Sequence, residues 1–144
     1  MATTTILGIT LPDDTDLVKD GASAMRTIGN GFDDSLAKIT LNDQTATYTV
    51  VLTDNRNKLV RMNVASANDF QIPTNANVAF PIGSVINVVQ QGAGATTIKA
   101  VTSGTTTIVS TGATAAEPQL RAQYSAASCI KTGTDTWLVV GDII

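Results

Sequence analysis

The sequence predicts a mainly β fold, an antiparallel β-sandwich or barrel preceded by a short N-terminal helical segment. Three observations predict it. Apolar residues recur every seven positions up to about residue 40 and alternate thereafter. From Gln44 onward the chain falls into short runs rich in Thr, Val and Ile, which suit a pleated, half-buried surface. Between those runs stand turn residues at regular intervals, the rhythm of two-layer or closed β architectures. The 144 residues fit one domain with a small appendage: residues 1–43 as an attachment and oligomerisation segment, 44–144 as a β module.

The helix comes first. Pro12 lies upstream, Thr15 or Asp16 can cap the start, and Asp20 sits a turn further on. Val18, Met25, Phe32 and Ile39 are seven apart, and Ala22, Gly29 and Leu36 follow the first three by four. Val18, Ala22, Met25, Gly29, Phe32 and Leu36 thus form an a/d seam, the expected oligomer and attachment seam. Gly29 and Gly31 each weaken helix propensity by up to ~1 kcal/mol relative to Ala, so the helix is marginal alone and can break there. Its stripe must pack on its own domain, on copies of itself, or on a host protein; a helix folded back on the β domain is the plain alternative.

The expected strands are 47–53, 59–64, 84–91, 96–101, 105–110, 119–125, 128–132 and 136–142. DNRNK (54–58) separates the first two, FPIG (80–83) makes a corner, and QGAG (91–94) reads as a Gly-containing hairpin. Ser103–Gly104 and TGTD (132–135) close two more turns.

Composition narrows the function. A net charge of −3 and a pI near 4.6 speak against nucleic acid and against an anionic membrane as partners. No apolar run approaches the ~20 residues of a membrane-spanning helix. The N-terminus lacks the basic and apolar regions of a secretory signal. Cys129, the sole cysteine, excludes an internal disulfide and reads as a buried strand residue. No histidine is present, so Ser-His-Asp and Cys-His catalysis within the chain are excluded. Asp13, Asp14, Asp16, Asp20, Asp33 and Asp34 cluster, but they flank a helix start, where the helix dipole favours acids. QQGAGATT (90–97) lacks the third glycine of a dinucleotide fingerprint and the Lys-Ser/Thr of a P-loop. DDTDLVKDG fails as a calcium loop, because Lys19 occupies the glycine position. No catalytic, cofactor-binding or metal residue is therefore expected, and no cofactor. A glycan depolymerase is the rival from the enzyme class. It needs two placed carboxylates, and the β module offers Asp54, Asp69, Glu117, Asp135 and Asp142, most of them in expected turns.

TDLVKDGASAMRTIGNGFD (15–33) resembles the N-terminal segment of many tailed-bacteriophage virion proteins, including minor tail and fibre-like proteins. FPIGSVINVVQQGAGATTIKAV (80–101) and LRAQYSAASCIKTGTDTWLVVGDI (120–143) are similar to a β module of the same class. The resemblance implies a non-enzymatic structural protein at the particle surface, homotrimeric and attached through its N-terminal segment to capsid or tail proteins. The chain lacks the long shaft, collagen-like tract and receptor-binding tip of longer fibres, which favours a short appendage or head-decoration protein. A tail fibre or minor tail protein that binds a host receptor or surface glycan is the alternative.

Overall fold

The computed structural model describes residues 2–3, 10–11, 20–55, 57–111, 113–114 and 116–144. These are mainly β, with one α-helix. Strands β1 (Ala2–Thr3) and β2 (Thr10–Leu11) form a small antiparallel pair, and helix α1 (Gly21–Ala37) lies against β2. Next come β3 (Thr40–Gln44), β4 (Tyr48–Thr49), a 3-10 turn at Leu52–Asn55, β5 (Lys58–Met62), β6 (Asn68–Ile72), β7 (Val85–Gln90) and β8 (Thr96–Ala100). β9 (Thr107–Ser110), β10 (Ala113–Thr114), β11 (Ala126–Gly133) and β12 (Thr136–Gly141) complete the order.

The expected antiparallel architecture is corrected to a mixed one. One sheet runs β10-β9-β12-β11-β7-β5-β3, the other β4-β6-β8. β3, β5 and β7 are mutually parallel, as are β4, β6 and β8. Consecutive strands from β3 to β8 therefore alternate between the sheets, and the chain winds in three stacked coils. A parallel pair needs a crossover connection, and here the strand of the opposite sheet supplies it. Antiparallel pairing in this sheet comes from β9 with β10 and from β11 and β12, a hairpin inserted between β7 and β9.

The coils stack through their corners. Asn63 N–H donates to Gln44 C=O (2.8 Å), and Gln91 and Gly92 N–H both donate to Met62 C=O (2.9 Å each). Gly94 N–H donates to Val64 C=O, and Asn68 N–H to Ala95 C=O (2.9 Å each). QGAG is thus no hairpin; it carries the chain from one sheet to the other. A Cβ on Gly92 or Gly94 would collide with the Val64 or Ser66 backbone beneath it, so the stack requires glycine at both positions. Polar side chains are spent on the same corner. Thr96 Oγ1 donates to Asn68 Oδ1 (2.9 Å), Asn68 Nδ2 to Ser66 C=O (3.0 Å), and Thr96 N–H to Gln90 Oε1 (3.2 Å).

Both sheets point alternate side chains into one core. Val60, Met62, Ile86, Val88, Cys129, Trp137 and Val139 come from the larger sheet; Phe70, Ile72 and Ile98 come from the smaller. Trp137 meets Phe80 edge-to-face at 5.4 Å. Cys129 is fully buried as expected, and burial pushes its thiol up to about 12. Lys131 is buried too, with Nζ donating to Asn75 Oδ1 (2.5 Å) and Phe80 C=O (2.7 Å). It ties the 75–80 segment to the hairpin.

Candidate functional site

The helix is where the sequence places attachment. α1 runs unbroken through Gly29 and Gly31 to Ala37, and Lys38 turns extended. Its N-cap is Asp20, whose side chain makes no capping bond; the expected caps Thr15 and Asp16 lie outside the described residues, as does Val18. Ala22, Met25, Gly29, Phe32 and Leu36 stand on one face, and all five are exposed. Met25 is 72% and Leu36 78% exposed, too much for packing on this chain's own surface. Ile39, just past the helix, is exposed as well.

A second stripe escapes the heptad reading. Ala24 is buried, and Gly21, Ile28 and Gly31 are partly buried. At 3.6 residues per turn these four share a face about 100° round from the seam. They are small except for Ile28, so the helix can sit close to a neighbouring backbone; β2 is its neighbour. The signal was present in the 21-24-28-31 spacing, but small residues weigh little in an apolar pattern. The helix is thus two-sided: a small-residue stripe used within the chain, and a large-residue stripe left outward. The Asp33–Asp34 acids belong to neither stripe. Asp34 pairs with Lys38 at 3.0 Å, an exposed i,i+4 bridge.

The carboxylates of the β module are held apart by local duties. Asp54 is fully buried, where it accepts from Asn42 Nδ2 (2.9 Å), Tyr48 Oη (2.8 Å) and Val51 N–H (2.9 Å). Burial first, then the bond to Asp54, pushes the Tyr48 phenol up to about 12. This network closes the first coil. Asp69 pairs with Lys99 (2.8 Å), and Asp142 with Arg121 (2.6 Å) while accepting from Ser125 Oγ (2.6 Å). Asp135 Oδ1 accepts from Asn75 N–H (2.7 Å). Glu117 lines a groove with Ser110, Thr111, Pro118, Ile143 and Ile144, and no other carboxylate side chain lines it. Among the described residues no cluster of three or more His, Cys, Asp or Glu is placed to hold a metal ion. None of their helices is long and apolar enough to cross a membrane.

Of the aromatic rings, Trp137 is in the core and Tyr48 is bound to Asp54. Tyr124 is 67% exposed and holds a positive φ of 70°, with its N–H donating to Gln90 C=O (2.7 Å). The stretch 119–125 is accordingly a turn and not the expected strand; only Gln119 and Leu120 make isolated bridges.

No protein-family model, curated protein or solved structure matches this chain.

Proposed function

We propose that this chain is a non-enzymatic structural protein of a tailed-phage particle. It is a short surface appendage or head-decoration protein, homotrimeric and attached to capsid or tail proteins through its N-terminal segment. One observation carries the reading. The core cluster of the β module, Val50 to Val139, takes no residue from α1 among the described residues, while Met25, Phe32 and Leu36 face outward. The β part satisfies itself, and the helix is left with an apolar stripe to place elsewhere. An isolated helix of this length is marginal in water, so a partner surface gives it a reason to exist. Two sheets around one core favour a sandwich over a barrel.

The resemblance of residues 15–33 and 80–143 to virion proteins supplies the setting. Deletion of residues 1–39 tests the reading. The remaining chain is expected to melt cooperatively with β-type circular dichroism and to stop adding to particles. A truncated chain that still decorates particles would move the attachment site to the β module.

Tyr124 favours a second reading, a tail fibre or minor tail protein with a host-glycan or receptor role. An exposed ring in a strained turn is a stacking platform for a sugar face. Glycan-array binding that disappears in Tyr124→Ala would select this reading.

A further inference from the structure

Strand alternation sends every second side chain of the seven-stranded sheet away from the core. On most half-buried sheets those positions are polar. Here nine of the thirteen positions in three successive rows are apolar. One row crosses five strands in register: Leu41, Leu59, Asn87, Ser128 and Val140. The next row crosses four: Val85, Ile130, Leu138 and Val109. A third holds Asp43, Arg61, Val89 and Ala126. Leu41 (53%), Val85 (41%) and Val140 (44%) are exposed, and Leu59, Val89, Val109, Ile130 and Leu138 are half-buried. Ser128 Oγ donates to Asn87 Oδ1 (2.7 Å), so the polar pair at the middle is satisfied within the sheet. Asp43 and Arg61, the only charges in the three rows, neutralise each other across 2.5 Å.

The smaller sheet is the internal control. Its outward positions are Thr49, Asp69, Gln71, Thr97 and Lys99. They bond to one another or to neighbours: Thr49 to Gln71 (2.9 Å), Lys99 to Asp69 (2.8 Å), and Gln119 to Thr97 (3.3 Å). That face suits water. The same chain therefore builds one outer face that is polar throughout and one that is mostly apolar.

We propose that the outer face of the seven-stranded sheet is a self-association surface, seated against the same face of sister copies. The inference rests on the reading of the chain as a homo-oligomer and names the surface that makes it one. Charge selects a second copy as occupant. The face is neutral, its one acid and one base already paired, so like faces meet without like-charge repulsion. Area points the same way. At ~4.8 Å between strands and ~6.8 Å between same-face residues of one strand, the thirteen positions of the three rows give a footprint of roughly 420 Å². The outward stripe of α1, at ~1.5 Å per residue, adds roughly 250 Å². Neither alone approaches the ~800 Å² per partner of a stable interface, and the two together come near it. They are continuous in the chain, since only Lys38 and Ile39 separate α1 from β3 at the edge of that sheet. A face that meets its own like closes an assembly, as a two-fold pair or with three copies turned to one axis.

The test uses the full chain and its mass by light scattering after size exclusion, across the micromolar range. The wild type is expected to run at two or three times the monomer mass. Val140→Arg and Leu138→Arg are expected to give monomer with β-type circular dichroism retained, and Gln71→Arg on the opposite face to change nothing. Because an arginine can disturb folding, Val140→Cys and Gln71→Cys provide a second measurement. Maleimide is expected to label Cys at 71 at least tenfold faster than Cys at 140. Wild-type monomer throughout would overturn the homo-oligomer reading and this inference with it. A wild-type oligomer in which Cys at 140 labels as fast as Cys at 71 would overturn the inference alone. So would arginine variants that keep the oligomer's mass. Dissociation by Met25→Asp with Leu36→Asp would then give the whole contact to the helix.

Discussion

The two sheets share a core and differ on their outer faces. Behind β4, β6 and β8 lie threonines, a glutamine and an Asp–Lys pair; behind β3, β5, β7, β11 and β12 lie mostly leucines, valines and an isoleucine, with an Asp–Arg pair and an Asn–Ser pair among them. Inward residues decide that the chain folds, because both faces of a core must be apolar whatever lies outside. Outward residues carry the information about surroundings. The difference therefore teaches more about function than the core does, and it can be attacked from either side.

The largest effect is expected where the two sheets depend on one another. Trp137 is almost fully buried against Phe80, at the meeting of β12 with the 75–80 segment. Trp137→Ala is expected to cost about 3–5 kcal/mol. Fluorescence is lost with the tryptophan, so a urea melt is followed by circular dichroism. A single shifted transition is expected; two transitions would mean that the sheets are separate cooperative units.

Next comes the corner that joins them. In Gly94→Ala the new methyl meets the Ser66 backbone of the coil below. Overpacking of this kind typically costs about 1–3 kcal/mol, and backbone is the neighbour least able to yield. An Ala93→Ser control, exposed at the tip of the same corner, is expected to leave the melt unchanged. Equal loss from both substitutions would remove coil stacking as the reason for the glycines.

That corner also explains what the sequence made legible. Six of the expected strands, near 59–64, 84–91, 96–101, 105–110, 128–132 and 136–142, stand within a few residues of β5, β7, β8, β9, β11 and β12. Their alternation reports a buried side and an open side, and that survives any connectivity. The strand expected at 47–53 is reduced to β4, because Leu52–Asn55 turns into a 3-10 turn to bury Asp54. β6 was missed: NDFQI has one β-branched residue, and its Asn68 is spent on the corner. Connectivity was illegible. Gly-containing corners of hairpins and of coils use the same residues, and only the backbone beneath Gly92 and Gly94 tells them apart. Of the seam, Ala22, Met25, Gly29, Phe32 and Leu36 share one exposed face of α1, as their spacing on a helix requires, and Val18 lies outside the described residues.

A smaller effect is expected at alkaline pH. Tyr48 and Cys129 both hold their protons up to about 12 in the folded chain, against ordinary values of 10.0 and 9.0. Above those ordinary values the unfolded chain releases protons that the folded chain keeps, so stability falls as pH rises from 9 towards 12. Burial lowers the Lys131 ammonium, which gives the opposite sign: its contribution improves as pH rises towards 10.5. The melting temperature is expected to hold to pH 9 and then decline, with Tyr48→Phe flattening the part between 10 and 12. A flat wild-type profile would contradict the buried assignments. At pH 8 the Cys129 thiol is expected to react with a thiol reagent only in denaturant.

The smallest effect is expected on the polar outer face, and its smallness is the point. Lys99 and Asp69 are paired at 2.8 Å, and the pair raises the lysine above its ordinary value. Both side chains keep about a third of their surface in water, so solvent screens the attraction and side-chain entropy offsets the rest. Lys99→Gln should therefore shift a urea midpoint by no more than the scatter between repeats, and added salt should erase even that. An equally small perturbation opposite, Val140→Thr, swaps one methyl for a hydroxyl on an exposed side chain. In a monomer it should be as silent as Lys99→Gln. In an assembly seated on that face the hydroxyl would be desolvated without a partner, and the dissociation midpoint should move to higher concentration. Equal silence of the two substitutions in that dilution series would make the outer faces equivalent and leave the apolar rows without a role in association.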